Sequence, residues 1–536
     1  MHRRFAHAAL LVLIIIVVAL SIGSVRLDSA TSDEPAYIGA GMIKLVDGRL
    51  DYFRDEPPLM NSISAAPLVM AGYRLPPIWN LESNHWGVGK QFLWRSGFDG
   101  HRMLLLARLP TLALFVALIA TVYCLVLRET GSTMWALAAA ALTGFCPNLM
   151  AHARLATVDL ALTFFAFSAT ALFLVVIDTG SLAAAIGMGI ASAAAVMSKT
   201  SGNIIGPYFL ILLIAAIVFK RTPNPKRVVA MFAVAIVSAI TFAEGFILAE
   251  ASNAYMETFR PLPRLLVPFA EYAANIRAIT GWYAQGHTLP QFLLGQFSTN
   301  GWPHYYLIAF LLKTTIPGIA LLVFALARRN NFKVVVLMLF VVMFMVIAAA
   351  GHLDLGLRYV LPIYPFIYAA IPIALSSAAP LPPAAKRRAS AAVVIALLTW
   401  HVAENLIAYP HYLSYFNEAI GSKRNADKFL IDSNLDWGQD LRRLDAWCRE
   451  HGVTQITVHY FGGADLGYDV RSARPIQWSA PGPEPLPKGY FALSRHLYRV
   501  SHAPNVWPVD YDTYLAANHA RYVTTVGGSI NIYAIE

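Results

Sequence analysis

MHRRFAHAALLVLIIIVVALSIG, residues 1–23, opens the chain with a basic head and an apolar run of spanning length. A cleaved signal peptide would have a shorter apolar region and an A-x-A site after it. The run is long and no such site follows, so it is expected to stay as a first membrane span entering from the cytoplasm. Ten further apolar segments follow, at about 103–127, 133–147, 158–177, 181–198, 203–219, 228–249, 303–327, 334–350, 359–379 and 389–409. The expected fold class is therefore a polytopic α-helical membrane protein of about eleven spans.

Composition agrees. Of 536 residues, 57% are hydrophobic and only 13% charged, with a mean hydropathy of +0.54. A soluble domain cannot bury that much apolar surface. The formal net charge of +10 raises the question of a nucleic-acid partner. Alternate threading of the spans answers it. RET (128–130), KRTPNPKR (220–227), RRNNFK (328–333) and KRR (386–388) all fall on the cytoplasmic side, as orientation by basic loops requires. No nucleic acid is implied.

An odd number of spans puts the C-terminus outside. Three long polar segments then share the exterior face: loops at 26–100 and 250–302, and a tail from 410 to 536. Residues 1–409 are expected to form the transmembrane core with its two exterior loops, and 410–536 a small α/β domain. QITVHYF (455–461) and SINIYAI (529–535) alternate as strands do, and KGYFALSRHLYRV reads as a strand followed by a helix. AYIGAGMIKLV, in the first loop, suits a short helix lying on the membrane surface or packed on protein. So does the face formed by Leu265, Leu266, Phe269, Tyr272 and Ile276. The three cysteines, Cys124, Cys146 and Cys448, make no disulfide framework.

TSDEPAYIGAG (31–41) follows directly on the first span, with Asp33 and Glu34 side by side at the predicted membrane edge. Asp55 and Glu56 follow in RDEPPL. Asp159 opens the fourth span from outside, in RLATVDLALTFF. Lys199, in MSKTSG, and Asp354 and Arg358, in HLDLGLRYVLPIYP, come to the same depth. Ionisable groups at membrane depth are costly and point to function. Two cations suit a lipid phosphate, and a carboxylate beside them suits proton abstraction from an attacking hydroxyl.

The Asp-Glu pair after the first span, PPL later in the first loop, VDLALTFF opening a mid-chain span, and RYVLPIYPF at 358–366 resemble the GT-C glycosyltransferases. The likeness is to the protein O-mannosyltransferase and aminoarabinose-transferase branch, family 39 and its kin. YPHYLSYFNEAIG and DSNLDWGQDL in the tail are similar to a bacterial subgroup with an exterior C-terminal domain. The resemblance implies an inverting membrane glycosyltransferase of the bacterial inner membrane, with its tail periplasmic. It would take a polyprenyl-phosphate sugar from the membrane lipid and pass the sugar to a protein, lipid or glycan acceptor. It further implies Asp33 as catalytic base with Glu34 as its neighbour, and Asp159 as a third catalytic acid. Asp55, Glu56, Lys199, Arg358 and Tyr359 would serve substrate binding. A divalent metal, if one takes part, would be held by Asp55 and Asp159.

Other readings of the same residues stand beside these. Asp33 and Asp159 each suit a helix N-cap. Lys199 and Arg358 suit cations snorkelling to head groups. DSNLDWGQD (432–440) has the one-three-five spacing of a calcium loop, but Trp437 stands where that loop needs glycine and Arg443 where it needs glutamate. It is read instead as a segment that docks the tail or shapes an acceptor cleft. A secondary transporter, or a non-catalytic scaffold with a binding tail, is the alternative for the whole chain.

Overall fold

A computed structural model describes the chain except residues 1–2, 76–84, 261, 285–289, 329–330, 352, 378–383, 477, 480–481 and 504–508. The chain is a multi-pass, mostly helical membrane protein. The first half runs α1 (Arg3–Val25), α2 (Glu34–Asp47), α3 (Pro58–Met70), α4 (His85–Arg95), α5 (Gly100–Thr130), α6 (Thr133–Gly144), α7 (Pro147–Ala153), α8 (Asp159–Thr179) and α9 (Leu182–Ser198).

Among the described residues, seven helices are long and apolar enough to cross a membrane, or up to nine if two bent pairs each count as one span. The bent pairs are α6 with α7, at 62°, and Tyr305–Lys313 with Ile316–Leu326, at 112°. Two expected spans are shorter apolar helices: α9 and Ile363–Ser377. At 1.5 Å per residue they reach only about 26 and 23 Å, less than a hydrocarbon core of roughly 30 Å. Every expected apolar run is therefore helical, and length and composition alone qualify seven to nine of them as crossings among the described residues.

The ends of these helices sort into two sets. At one end, Arg128 Nη2 and Lys333 Nζ meet Asp178 at 2.7 and 2.9 Å, Glu129 joins both cations, and Arg227 donates to the Gly180 carbonyl at 3.0 Å. At the other end lie the first loop, Asp159, Lys199, Arg358 and the tail.

The first loop is not spread on a membrane surface. α2 is buried from Glu34 to Lys44, packed against α3 and α4. Its glycines explain the fit. A Cβ on Gly41 would stand 2.0 Å from the Asn61 carbonyl oxygen, and one on Gly39 2.8 Å from Gly89 Cα. AYIGAG is thus a close-packing stripe. In the second loop, the helix Val267–Ala284 turns Glu271 and Asn275 to the protein, where Glu271 pairs with Arg54 at 2.8 Å. Leu266, Phe269 and Tyr272 face outward.

The tail follows the helix Ala384–Ala408 and carries a five-stranded mixed sheet. Its order is Ala473–Pro475, Ile456–His459, Gly489–Ser494, Ile530–Ile535, Ala520–Val526. The first three strands run parallel and the last two pair antiparallel. Both strands and the strand-to-helix step read from the sequence are present. One apolar cluster joins Leu441, Leu444, Val458, Ile530 and Ile532 of the tail to Ile38, Met42, Phe92 and Leu104. The tail and the first loop share a core. The cysteines are all free.

Candidate active site

Asp33 precedes the first turn of α2, yet its side chain caps nothing. Its Oδ2 accepts from Arg358 Nη1 at 2.7 Å instead. Arg358 lies in a 3-10 turn, Leu357–Val360, that leads into Ile363–Ser377. The same Nη1 stands 4.0 Å from Asp159 Oδ2. Asp159 opens α8, also without capping it, and its Oδ1 takes Lys199 Nζ at 2.5 Å. Lys199 ends α9, and its ammonium lies 4.3 Å from the centre of the Tyr359 ring. Asp33, Asp159, Lys199, Arg358 and Tyr359 therefore form one continuous cluster. Lys199 and Arg358 are only 5% and 8% exposed, so neither snorkels.

Glu56 joins from the loop before α3. Its Oε2 accepts from Thr200 N at 3.4 Å, and Lys199 is its strongest charged neighbour. Burial pushes its carboxyl up to about 7 against the pull of Lys199. Burial also raises the Asp33 carboxyl above its ordinary value, opposed by Arg358 and reinforced by Asp432 and Asp159. Tyr37 of α2 faces the same group, where Asp33 and Glu56 help burial to hold its hydroxyl protonated.

Glu34 points elsewhere. It is fully buried and bidentate to Arg108 of α5, at 2.7 and 2.6 Å. Thr31 N, Thr31 Oγ1 and Ala156 N complete its shell at 2.9, 3.0 and 2.8 Å. Asp55 is exposed on the loop beside Glu56. Asp354, at the far end of the HLDLGLRY motif, receives Trp302 N at 2.6 Å and shapes the second loop.

A metal fits poorly where the sequence suggested one. Asp159 is already matched by two cations, and Asp55 is exposed while Asp159 is buried. Among the described residues, His502, Asp510 and Asp512 are the one histidine–carboxylate group with ion-binding spacing, and they lie in the tail.

DSNLDWGQD closes over the cluster. Asp432–Asn434 is a 3-10 turn, Trp437 stacks its ring 4.2 Å from the Arg358 guanidinium, and Asp436 is taken by Ser494 Oγ at 2.5 Å. Ser32 N and Ser29 N donate to the carbonyls of Trp437 and Gln439 at 2.9 Å each. Arg443 reaches Asp28 at 2.6 Å, beside Arg154. The segment docks the tail on the residues that precede Asp33.

Sequence inspection missed Arg108, Arg154 and Trp437. The first had a signal, because a lone arginine inside an apolar helix is paired when it survives at all. Trp437 had none, since nothing in the sequence ties position 437 to position 358.

Residues 101–242 match the family model described as dolichyl-phosphate-mannose-protein mannosyltransferase. That stretch runs from α5 through α9 and Ile205–Val218 into the helix Pro225–Glu250, with Asp159 and Lys199, and the match agrees with the resemblance carried by the motifs. No curated protein matches. Among solved structures, ArnT from Cupriavidus metallidurans bound to undecaprenyl phosphate is 13% identical, with 98% of this chain and 97% of that chain covered and a TM-score of 0.49. AglB from Archaeoglobus fulgidus, in complex with an inhibitory peptide and a dolichol-phosphate, is 13% identical, covering 98% and 74%, TM-score 0.47. The S. cerevisiae protein O-mannosyltransferase Pmt1-Pmt2 complex bound to the sugar donor is 16% identical, covering 49% and 33%, TM-score 0.32.

Proposed function

We propose that this protein is a GT-C-type membrane glycosyltransferase. It moves a sugar from a polyprenyl-phosphate donor to an acceptor hydroxyl on the exterior face of the bacterial inner membrane, with inversion. One observation carries the reading: the buried chain of charges Asp33–Arg358–Asp159–Lys199, drawn from four separate elements. A fold rarely buries two cations and two carboxylates without a use for them.

The roles follow from charge. The donor phosphate takes Lys199 and Arg358 as its counter-ions. Arg358 then leaves Asp33, whose carboxylate loses its pairing inside a buried site and becomes a stronger base. The acceptor oxygen attacks the anomeric carbon from the side opposite the phosphate. Its proton passes to Asp33. The bond from the anomeric carbon to the phosphate oxygen breaks, and its electron pair leaves with the polyprenyl phosphate, where the two cations stabilise it. Asp159 holds Lys199 and Arg358 at the required spacing. Glu56 and Tyr359 line the sugar side. Glu34 positions α2 through Arg108 and so sets where Asp33 stands.

The test uses detergent-purified protein with radiolabelled polyprenyl-phosphate sugars. Wild type releases or transfers label. Asp33→Asn keeps the size of the side chain and removes its basicity together with its charge pairing to Arg358, so turnover falls by roughly 10²–10⁴-fold, the range of general-base catalysis. Donor binding is not weakened, because Arg358 no longer has to leave a carboxylate to meet the phosphate. Turnover at the wild-type rate in Asp33→Asn, with saturating donor and acceptor, moves the base to another carboxylate.

A further inference from the structure

A cavity of about 320 Å³ lies where the helix Ala384–Ala408 gives way to the tail sheet. Ala408 and His411 form its membrane-side wall. Lys423, Arg424 and Arg495 line it together with the hydroxyls of Ser414, Thr524 and Thr525. No aspartate or glutamate is in the lining. The carboxylates behind the lining are already engaged: Asp440 by Arg443 at 2.6 Å and Ser529 Oγ at 2.7 Å, Glu404 by Tyr415 at 2.8 Å, and Asp427 by Arg495 and Arg499.

The three cations are not alike. Arg495 is buried and committed to the fold. It donates to the carbonyls of Lys423, Arg424 and Gly528 and pairs with Asp427. Those bonds pin the 423–424 backbone against the sheet. The side chains of Lys423 and Arg424 then stand exposed at the cavity, and no acid pairs with either of them among the described residues. Two exposed cations with no acid paired to either, and no carboxylate in the lining, make an anion site. Its place fixes the source of the anion. Leu406 and Ile407, on the last turn of the helix, are 49% and 72% exposed and apolar, as lipid-facing residues are. The cavity therefore opens within a few residues of the lipid boundary, where head-group phosphates lie.

We propose that this cavity binds the phosphate of an anionic membrane lipid. The site is separate from the Asp33–Arg358 cluster and does not depend on the glycosyltransferase reading. Leu435 lines the cavity while Trp437, two residues on, stacks on Arg358, so one short segment lies between the bound lipid and the charged cluster.

Native mass spectrometry of the full chain in detergent, with phosphatidylglycerol, phosphatidylcholine or inorganic phosphate added, tests this. Wild type retains phosphatidylglycerol in preference to phosphatidylcholine. Lys423→Gln with Arg424→Gln weakens that retention by about tenfold or more, since hydrogen bonds to charged groups are the strong ones. Both side chains are exposed, so the thermal unfolding of this variant matches wild type. A control variant, Arg471→Gln with Lys488→Gln, removes two exposed tail cations away from the cavity and retains phosphatidylglycerol normally. Equal retention by wild type and the cavity variant overturns the proposal, as does an equal loss in the control. Displacement of phosphatidylglycerol by an equal concentration of inorganic phosphate overturns the assignment to a lipid.

Discussion

Glu56 and Asp33 show what burial does to a carboxyl beside cations. Both are raised, Glu56 to about 7, although Lys199 and Arg358 pull the other way, because lost hydration outweighs the attraction. The sign of the consequence follows. A carboxyl whose folded value lies above its unfolded one stabilises the fold while it is protonated. That stability is fully present below the ordinary value of 4.5 and is lost as pH rises through about 7. Wild type should therefore lose more thermal stability between those pH values than Glu56→Gln, whose amide does not ionise. Parallel melting curves for the two across that window would place Glu56 in water. The sequence disclosed these acids, since each stands at a predicted membrane edge. Their partners were not legible. Asp33 and Arg358 are 325 residues apart, and only the folded chain puts them 2.7 Å from one another.

Among the elements, α2 carries the most consequence. Its sequence reads equally as a surface helix and as a packed one, because small residues at helical spacing suit both. Close approach decides, with Gly41 against the Asn61 carbonyl. The Asp-Glu pair divides its labour along this helix: Asp33 faces the charged cluster and Glu34 faces α5. Five hydrogen bonds satisfy the Glu34 carboxylate, two of them from Arg108. Removing one partner of a buried pair leaves the other charge stranded, at a cost of about 3–5 kcal/mol. Arg108→Met should destabilise the protein by that order in detergent unfolding. Pairing it with Glu34→Met should restore part of the loss, because no buried charge is then left alone. If Glu34 instead orients a substrate, Glu34→Gln raises the acceptor KM and leaves unfolding unchanged. The tail segment 432–440 is the second such element. Its calcium-like spacing was misleading for a plain reason: Asp436 spends its oxygens on Ser494, His496 and Gly438 in docking the sheet.

For the whole molecule, the two ends of the bundle carry different charge chemistry, and this bears on orientation more than the number of spans does. Hydropathy located every apolar run, but did not show which of them are short or bent, as α9 and the pair α6–α7 are. The ion pairs supply what hydropathy lacks. Arg128, Glu129 and Lys333 come from loops assigned to the cytoplasm by their basic residues, Asp178 from a loop that the threading puts on the same side, and they meet in one cluster. Asp33, Asp159, Lys199 and Arg358 come from segments assigned to the exterior, and they meet in another. A single inverted crossing would have sent partners to opposite ends. The threading therefore predicts the side of each end. A phosphatase active only outside the cytoplasm should work when fused at 420, in the tail, and fail when fused at 223 or 387, in the basic loops. Activity at 223 would turn the molecule over and put the charged cluster on the cytoplasmic face. The acceptor would then be a cytoplasmic molecule, and the anionic-lipid cavity would face the inner leaflet. Activity at both 223 and 420 would mean an even number of crossings between them, where the threading puts an odd one.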